Sequence, residues 1–315
     1  MDQSLFDPNA VDRWHDDGWC VLEGLIPTGE VDAAREALAP YYPAPSKPAS
    51  SMPSHAGPPA DPSISTQSAN SREGTFDLSW DAPKPMFPFA EMALNQLVVH
   101  PRLIALAEEL LGTDQIRLYQ GLASAKYSEG PQDYEQLLHV DYGNHTLVVP
   151  RTDMGYQHLE LFVYLSDVTS ETAATRMVSR RLTADIPVER TYLSFTDYAP
   201  LYESEVPASG PAGSVLAYRP DVFHRGTSLS AEGSVRYLLH VAYKPVATDW
   251  LGYQSWPAAA EGAPWHRFVS EATLRQLTVL GFPEPGHPYW TDETLNGVAA
   301  RYPRLDMTPW RTIEA

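Results

Sequence analysis

The sequence predicts a mainly β protein: an antiparallel sandwich or barrel with helices at its N-terminus and a helical appendage at its C-terminus. Three observations carry that expectation. From Gln115 onward, short runs rich in aromatic and β-branched residues follow one another: IRLYQGLASAKY, QLLHVDY, HTLVVP, HLELFVYLSDV, TRMVS, GSVLAYRP and VRYLLHVAYK. Turn-rich pieces such as YSEGPQD, RTDMGYQ and PASGPAG separate them, and no ten-residue helical pattern alternates with the strands, so a parallel α/β sheet fits badly. Helical periodicity is found before and after this stretch, which places a β core at about 115–245.

Before the β core, RWHDDGWCVLEGL passes from a polar helical start through Gly18 into a strand from Trp19 to Leu22. Thr28 then caps a helix, GEVDAAREALA, with Val31, Ala34 and Leu38 on one face and an end before Pro40. From about 40 to 71 prolines and serines recur and large aliphatics are nearly absent, the composition of a disordered linker or a lid. FAEMALNQLVVHPRLIALAEELLG returns to helical spacing, with His100 and Pro101 marking a fresh start and Gly112 a stop. The tail from about 250 to 315 is aromatic and proline-rich, with one amphipathic stretch at SEATLRQLTVLGF. Without internal repeats, the whole chain, 1–315, reads as a single domain.

Composition narrows the function classes. The 315 residues are 43% hydrophobic and 20% charged, ordinary for a folded protein. Forty acidic residues against 22 Lys plus Arg give a net charge of −18, a field that repels phosphate backbones and anionic membranes, so neither nucleic acid nor a membrane is an expected partner. Cys20 is the sole cysteine, which excludes an intrachain disulfide and a thiolate cluster. MDQSLFDPNAVDRW has no basic segment followed by an apolar run, and the expected location is cytoplasmic. Nothing in the sequence sets the oligomeric state.

The chemistry concentrates in LLHVDYGNHTL. Residues two apart on a strand point to the same face, so His139 and Asp141 can present an imidazole and a carboxylate to one ion. A non-haem Fe(II) site needs a second imidazole, leaving the opposite face of the octahedron open. His224 supplies it, just past the strand GSVLAY in a turn containing Pro and Asp. Twelve residues later, Arg236 stands inside an apolar strand, where a guanidinium is costly unless an anion answers it. A dicarboxylate cosubstrate would do so through a two-pronged contact.

With these residues in place, the sequence resembles the phytanoyl-CoA dioxygenase (PhyH) family of Fe(II)- and 2-oxoglutarate-dependent oxygenases. The resemblance is carried by GWCVLEGLIPTGEVDAAREAL, LVVHPRLIALAEELLG, HVD, YLSDVTSETAATRMV, GSVLAYRPDVFHRGTS and VRYLLHVAY, and spans about 14 to 245. It implies a double-stranded β-helix, the cupin-like jelly roll, with iron held by His139, Asp141 and His224. It further implies 2-oxoglutarate gripped by Arg236, O2 as the second cosubstrate, and release of succinate and CO2 as an unactivated C–H bond of a small molecule is oxidised. Lys126, Thr146 and Ser228 are expected near the cosubstrate. Because halogenating relatives replace the carboxylate with a small residue, Asp141 points to hydroxylation. Ala173 and Ala174 stand where the family commonly has glycines, and Arg180 and Arg181 replace its usual turn, so the substrate side is expected to differ. Aromatic-rich segments suggest a partly apolar substrate. Two rival readings use the same fold: a metal enzyme of non-oxidative chemistry, which has no need of Arg236, and a non-catalytic ligand-binding member, which would be expected to have lost a metal ligand.

Among the other histidines, His145 reads as a hydrogen-bonded loop residue and His240 as a core residue that shares the strand parity of Arg236. Phe162, Tyr164 and Tyr218 read as packing. For Arg236 itself, the plainer alternative is an ion pair with one of the many acidic residues.

Overall fold

Alternation along the long strands decides how the molecule is layered. The computed structural model describes residues 6–42, 84–128, 130, 133–141, 145, 158–187, 190–248, 256 and 262–311. Most of the 40–71 segment and all of Thr146 lie outside these residues. Five strands, β1 (Trp19–Leu22), β2 (Ile116–Tyr127), β4 (Leu159–Tyr164), β8 (Val215–Tyr218) and β10 (Val235–Pro245), form one antiparallel sheet in the order β1-β8-β4-β10-β2. The second sheet runs β6 (Tyr192–Leu193), β3 (Leu138–His139), β9 (His224–Arg225), β5 (Arg176–Met177), β7 (Val206–Pro207), also antiparallel. From β2 to β5 and again from β7 to β10 the chain alternates between the sheets, the winding of a jelly roll.

In the larger sheet, Leu159, Leu161 and Val163 of β4 and Leu239, Val241 and Tyr243 of β10 enter one apolar core with Leu94, Leu103, Leu106 and Phe268 from the helices. The helices are α1 (Pro8–Asp17), α2 (Thr28–Leu38), α3 (Met92–Val98), α4 (Pro101–Leu111), α5 (Ala199–Ser204), α6 (Ala263–Glu271), α7 (Leu274–Val279), α8 (Asp292–Arg301) and α9 (Thr308–Arg311). The intervening positions, Glu160 and Phe162 on β4 and Arg236, Leu238 and His240 on β10, face a cavity between the sheets. A bulge opposite Ala242 and Tyr243 skips Tyr119, so Ile116 and Leu118 share the core face with Ala123 and Ala125 while Gln120, Ser124 and Lys126 reach the cavity. Gly121 lies where an added Cβ would meet Val98 and Phe87 at about 3 Å, which lets α3 pack close to the sheet.

Several local expectations hold. Gly18 and Gly112 end α1 and α4 in the left-handed conformation, at φ +82° and +66°, and the His100 side chain accepts from the Arg102 N–H at the start of α4. Others need correction. Thr28 is the first residue of α2; Pro27 occupies the cap and offers no side-chain acceptor. The strand read across QLLHVDY is only Leu138–His139, with Asp141 in a turn. His224 follows β8 as expected but stands in β9 rather than in the turn, directly opposite His139. Two-residue strands carry too few positions for a periodic signal, which is also why β6 and β7 escape sequence reading.

Candidate metal and cosubstrate site

The two imidazoles meet because β3 and β9 pair with His139 and His224 in register, which puts both side chains on one face. Each ring is fixed by a backbone carbonyl two residues earlier: His139 Nδ1 lies 2.9 Å from the Leu137 oxygen and His224 Nδ1 2.9 Å from the Val222 oxygen. A carbonyl requires that nitrogen to carry the proton, leaving Nε2 of both rings as donor lone pairs. Those Nε2 atoms lie 3.6 and 3.3 Å from the two oxygens of Asp141. One ligand atom from each of the three residues falls within 4.8 Å of the others. Tyr218 donates its hydroxyl to Asp141 Oδ2 at 2.7 Å, orienting the carboxylate.

Electrostatics suit a cation. Burial, reinforced by the neighbouring His224, pushes His139 down to about 4, so it is neutral at physiological pH. Burial works against the Asp141 charge, but the imidazoles of His224 and His139 hold its carboxyl below the usual range. Burial lowers His224 while Asp141 raises it, and the carboxylate prevails. Two imidazoles and an ionised carboxylate converging on one point form a donor set that fits a ferrous ion and leaves coordination positions to be filled from the cavity.

Arg236 stands on β10 directly opposite Lys126 on β2, and both line the cavity. The ion pair considered for Arg236 does not form: among the described residues no carboxylate pairs with it. Its Nη1 donates to the carbonyl of Ala173, and its Nε is buried without a hydrogen-bond partner. Burial lowers the guanidinium to about 10, still cationic at neutral pH. Ala173, at a position where glycine was expected, adopts φ +62° to present that carbonyl. Lys126 is held by the carbonyls of Thr227 and Tyr134.

Ser228 is not among the described residues that line the cavity; its N–H donates to Glu135 Oε1 at 2.9 Å, and at this bend the carbonyl of Thr227 receives Lys126. His240 faces the cavity and bonds Ser124 Oγ at 2.7 Å. Of the described residues that line the cavity, Ala125, Phe162, Gly226 and Leu238 carry no polar side-chain atom. Sequence reading missed Tyr218 as a partner of the metal ligand, and Glu160 and His158 altogether. The parity that places Arg236 and His240 inward, carried across the β4–β10 pairing to Phe162 and Glu160 and on to Tyr218 of β8, would have found two of the three.

Comparisons agree with this architecture. The sequence profile of the phytanoyl-CoA dioxygenase (PhyH) family matches residues 14–234. No curated protein matches the chain in a sequence comparison. Among solved structures, HygX from Streptomyces hygroscopicus with nickel and 2-oxoglutarate bound superposes with a TM-score of 0.52 at 18% identity, covering 77% of this chain and 88% of that one. The α-ketoglutarate-dependent carbocyclase SnoK from nogalamycin biosynthesis gives 0.51 at 16% identity, covering 81% and 90%. The epimerase SnoN, in complex with Fe3+, α-ketoglutarate and nogalamycin RO, gives 0.50 at 18%, covering 75% and 82%.

Proposed function

The chain belongs to the phytanoyl-CoA dioxygenase family, and from that premise we propose that it is an Fe(II)- and 2-oxoglutarate-dependent oxygenase, one domain that oxidises an unactivated C–H bond of a small organic molecule. The observation that carries this reading is Arg236: a guanidinium facing the cavity, with one nitrogen bonded to a backbone carbonyl, its buried Nε unsatisfied and, among the described residues, no carboxylate paired with it. Such a cation calls for an anionic ligand. A keto diacid has the required chemistry, one carboxylate for the guanidinium and a keto acid end for the metal. A ferrous ion bound there would supply oxygen activation coupled to oxidative decarboxylation of the cosubstrate to succinate and CO2.

The chain's own residues do the rest. His139, Asp141 and His224 would hold the ion, and Tyr218 fixes the carboxylate by its hydroxyl. Arg236, with Lys126 beside it in the register, attracts and orients the cosubstrate. Retention of Asp141 favours hydroxylation. The neighbouring epimerase and carbocyclase mark two other outcomes for the same kind of site, and product mass separates the three: a gained oxygen, an unchanged mass, or loss of two hydrogens. Non-oxidative metal chemistry leaves the Arg236 cation without a purpose, and a purely ligand-binding role leaves the complete triad without one.

The test is succinate formation by the full chain supplied with Fe(II), 2-oxoglutarate and oxygen. Release should require all three, and His139→Ala should lose turnover together with the iron held by the triad. Arg236→Ala should raise the KM for 2-oxoglutarate by about 10-fold or more, since a charge-assisted contact contributes roughly 1.5–3 kcal/mol. Normal cosubstrate affinity in the arginine variant would remove the assignment of Arg236, and absence of succinate under all conditions would remove the oxygenase reading.

A further inference from the structure

A second motif of the same spacing as His139-Val140-Asp141 begins just before β4: His158-Leu159-Glu160. In extended chain its two polar side chains share a face, and Leu159 between them goes to the helix-covered core. His145 reaches the same place from elsewhere in the chain, its Nδ1 3.2 Å from Glu160 Oε1. One ligand atom from each of His145, His158 and Glu160 lies within 4.8 Å of the others, as in the first triad. This group is the more deeply buried of the two, at 6%, 0% and 2% exposure. We propose that His145, His158 and Glu160 form a second metal site, for a divalent first-row transition cation, in the wall of the cavity and separate from the His139–Asp141–His224 triad.

Three features support it beyond proximity. A carboxylate this deep calls for a compensating cation, and His145 Nδ1 stands 3.2 Å from it, the carboxylate outweighing burial in raising that imidazole above its ordinary value. A divalent cation would supply that charge directly. His158 is in the state a ligand requires, kept neutral by burial and by His145 beside it. Tyr119, the residue skipped at the β2 bulge, donates its hydroxyl to Glu160 Oε1 at 2.5 Å, the kind of outer contact that fixes a ligating carboxylate. Two imidazoles and one carboxylate select Zn2+, Fe2+ or Co2+ over Mg2+ and Ca2+, which prefer all-oxygen surroundings. Since His145 and Glu160 both line the cavity, the ion would tie His145 to β4 and place positive charge in the wall.

The experiment counts metal. The full chain is stripped, equilibrated with excess Zn2+, freed of unbound ion and analysed for zinc per chain, as wild type, as the double variant His139→Ala/His224→Ala, and as His158→Gln. The expected contents are two, one and one. A wild type that holds one zinc, lost in the double variant, overturns the second site and leaves the iron site standing. One zinc lost in His158→Gln and kept in the double variant overturns the iron triad instead, and a wild type without zinc overturns both. Should His158→Gln fail to fold, the wild-type and double-variant contents still decide the matter, because the double variant keeps one equivalent only if the second triad binds.

Discussion

At the scale of single residues, the site is built by fixing one nitrogen of each imidazole so that the other is available. Leu137 and Val222 do this through backbone carbonyls, contacts that no side-chain substitution can remove, so the adjustable partner is Tyr218. Tyr218→Phe deletes the 2.7 Å bond to Asp141 while keeping the ring, and metal affinity should fall about 10-fold or more, read by competition with a chelator of known strength. His240 offers a test of the cavity's electrostatics. Burial, then the charges of Lys84 and Arg236, hold its imidazole well below the ordinary 6.5. The unfolded chain therefore binds a proton there as pH falls through 6.5 while the folded chain does not, and stability drops with a limiting slope of about 1.4 kcal/mol per pH unit. His240→Gln retains a partner for Ser124 and cannot take up that proton. Its stability relative to wild type should improve between pH 7 and pH 5 in denaturant titrations; a constant difference would mean that His240 titrates normally. The triad was legible in the sequence from the His-x-Asp spacing joined to a distal histidine, and Arg236 because a guanidinium is costly in an apolar strand. Tyr218 and Glu160 were not, since a tyrosine reads equally as packing and a lone glutamate as surface until strand pairing is known.

Among the elements, the long strands β2, β4 and β10 were legible because each carries enough positions to show a pattern. The short strands of the second sheet were not, although two of them carry the imidazoles: β3 and β9 are held by their pairing, not by propensity. What positions β9 is partly the end of α1. Gly18 turns the chain at φ +82°, and a Cβ placed there would collide with the side chain of Val222, whose carbonyl fixes His224. Gly24 has a similar φ, +64°, with nothing within 4 Å. Alanine at either position incurs the left-handed penalty of about 1–2 kcal/mol, and only at Gly18 does steric conflict add to it. Gly18→Ala should accordingly lose more stability than Gly24→Ala in urea titrations, and it alone should weaken metal binding. Equal losses would show that the contact with Val222 relaxes freely.

For the molecule as a whole, the proposed metal ligands and the proposed cosubstrate clamp belong to different sheets. His139 and His224 stand on β3 and β9 of the smaller sheet, with Asp141 just beyond β3; Arg236 and Lys126 stand on β10 and β2 of the larger. A keto diacid spanning the metal and the guanidinium would bridge the two sheets, so its binding should act on global stability in a way neither end achieves alone. Metal alone should raise Tm, and 2-oxoglutarate without metal should do little. With the metal saturated, 2-oxoglutarate at 100 times its Kd should add about 2.7 kcal/mol, on the order of 5 °C for a chain of this size. Ni2+ serves for this measurement because it allows no turnover. In Arg236→Ala the shift from metal should persist while the added shift at the same 2-oxoglutarate concentration falls by about half or more. If the added shift is undiminished in that variant, the cosubstrate is held from the metal side alone, and the two sheets are not coupled through Arg236.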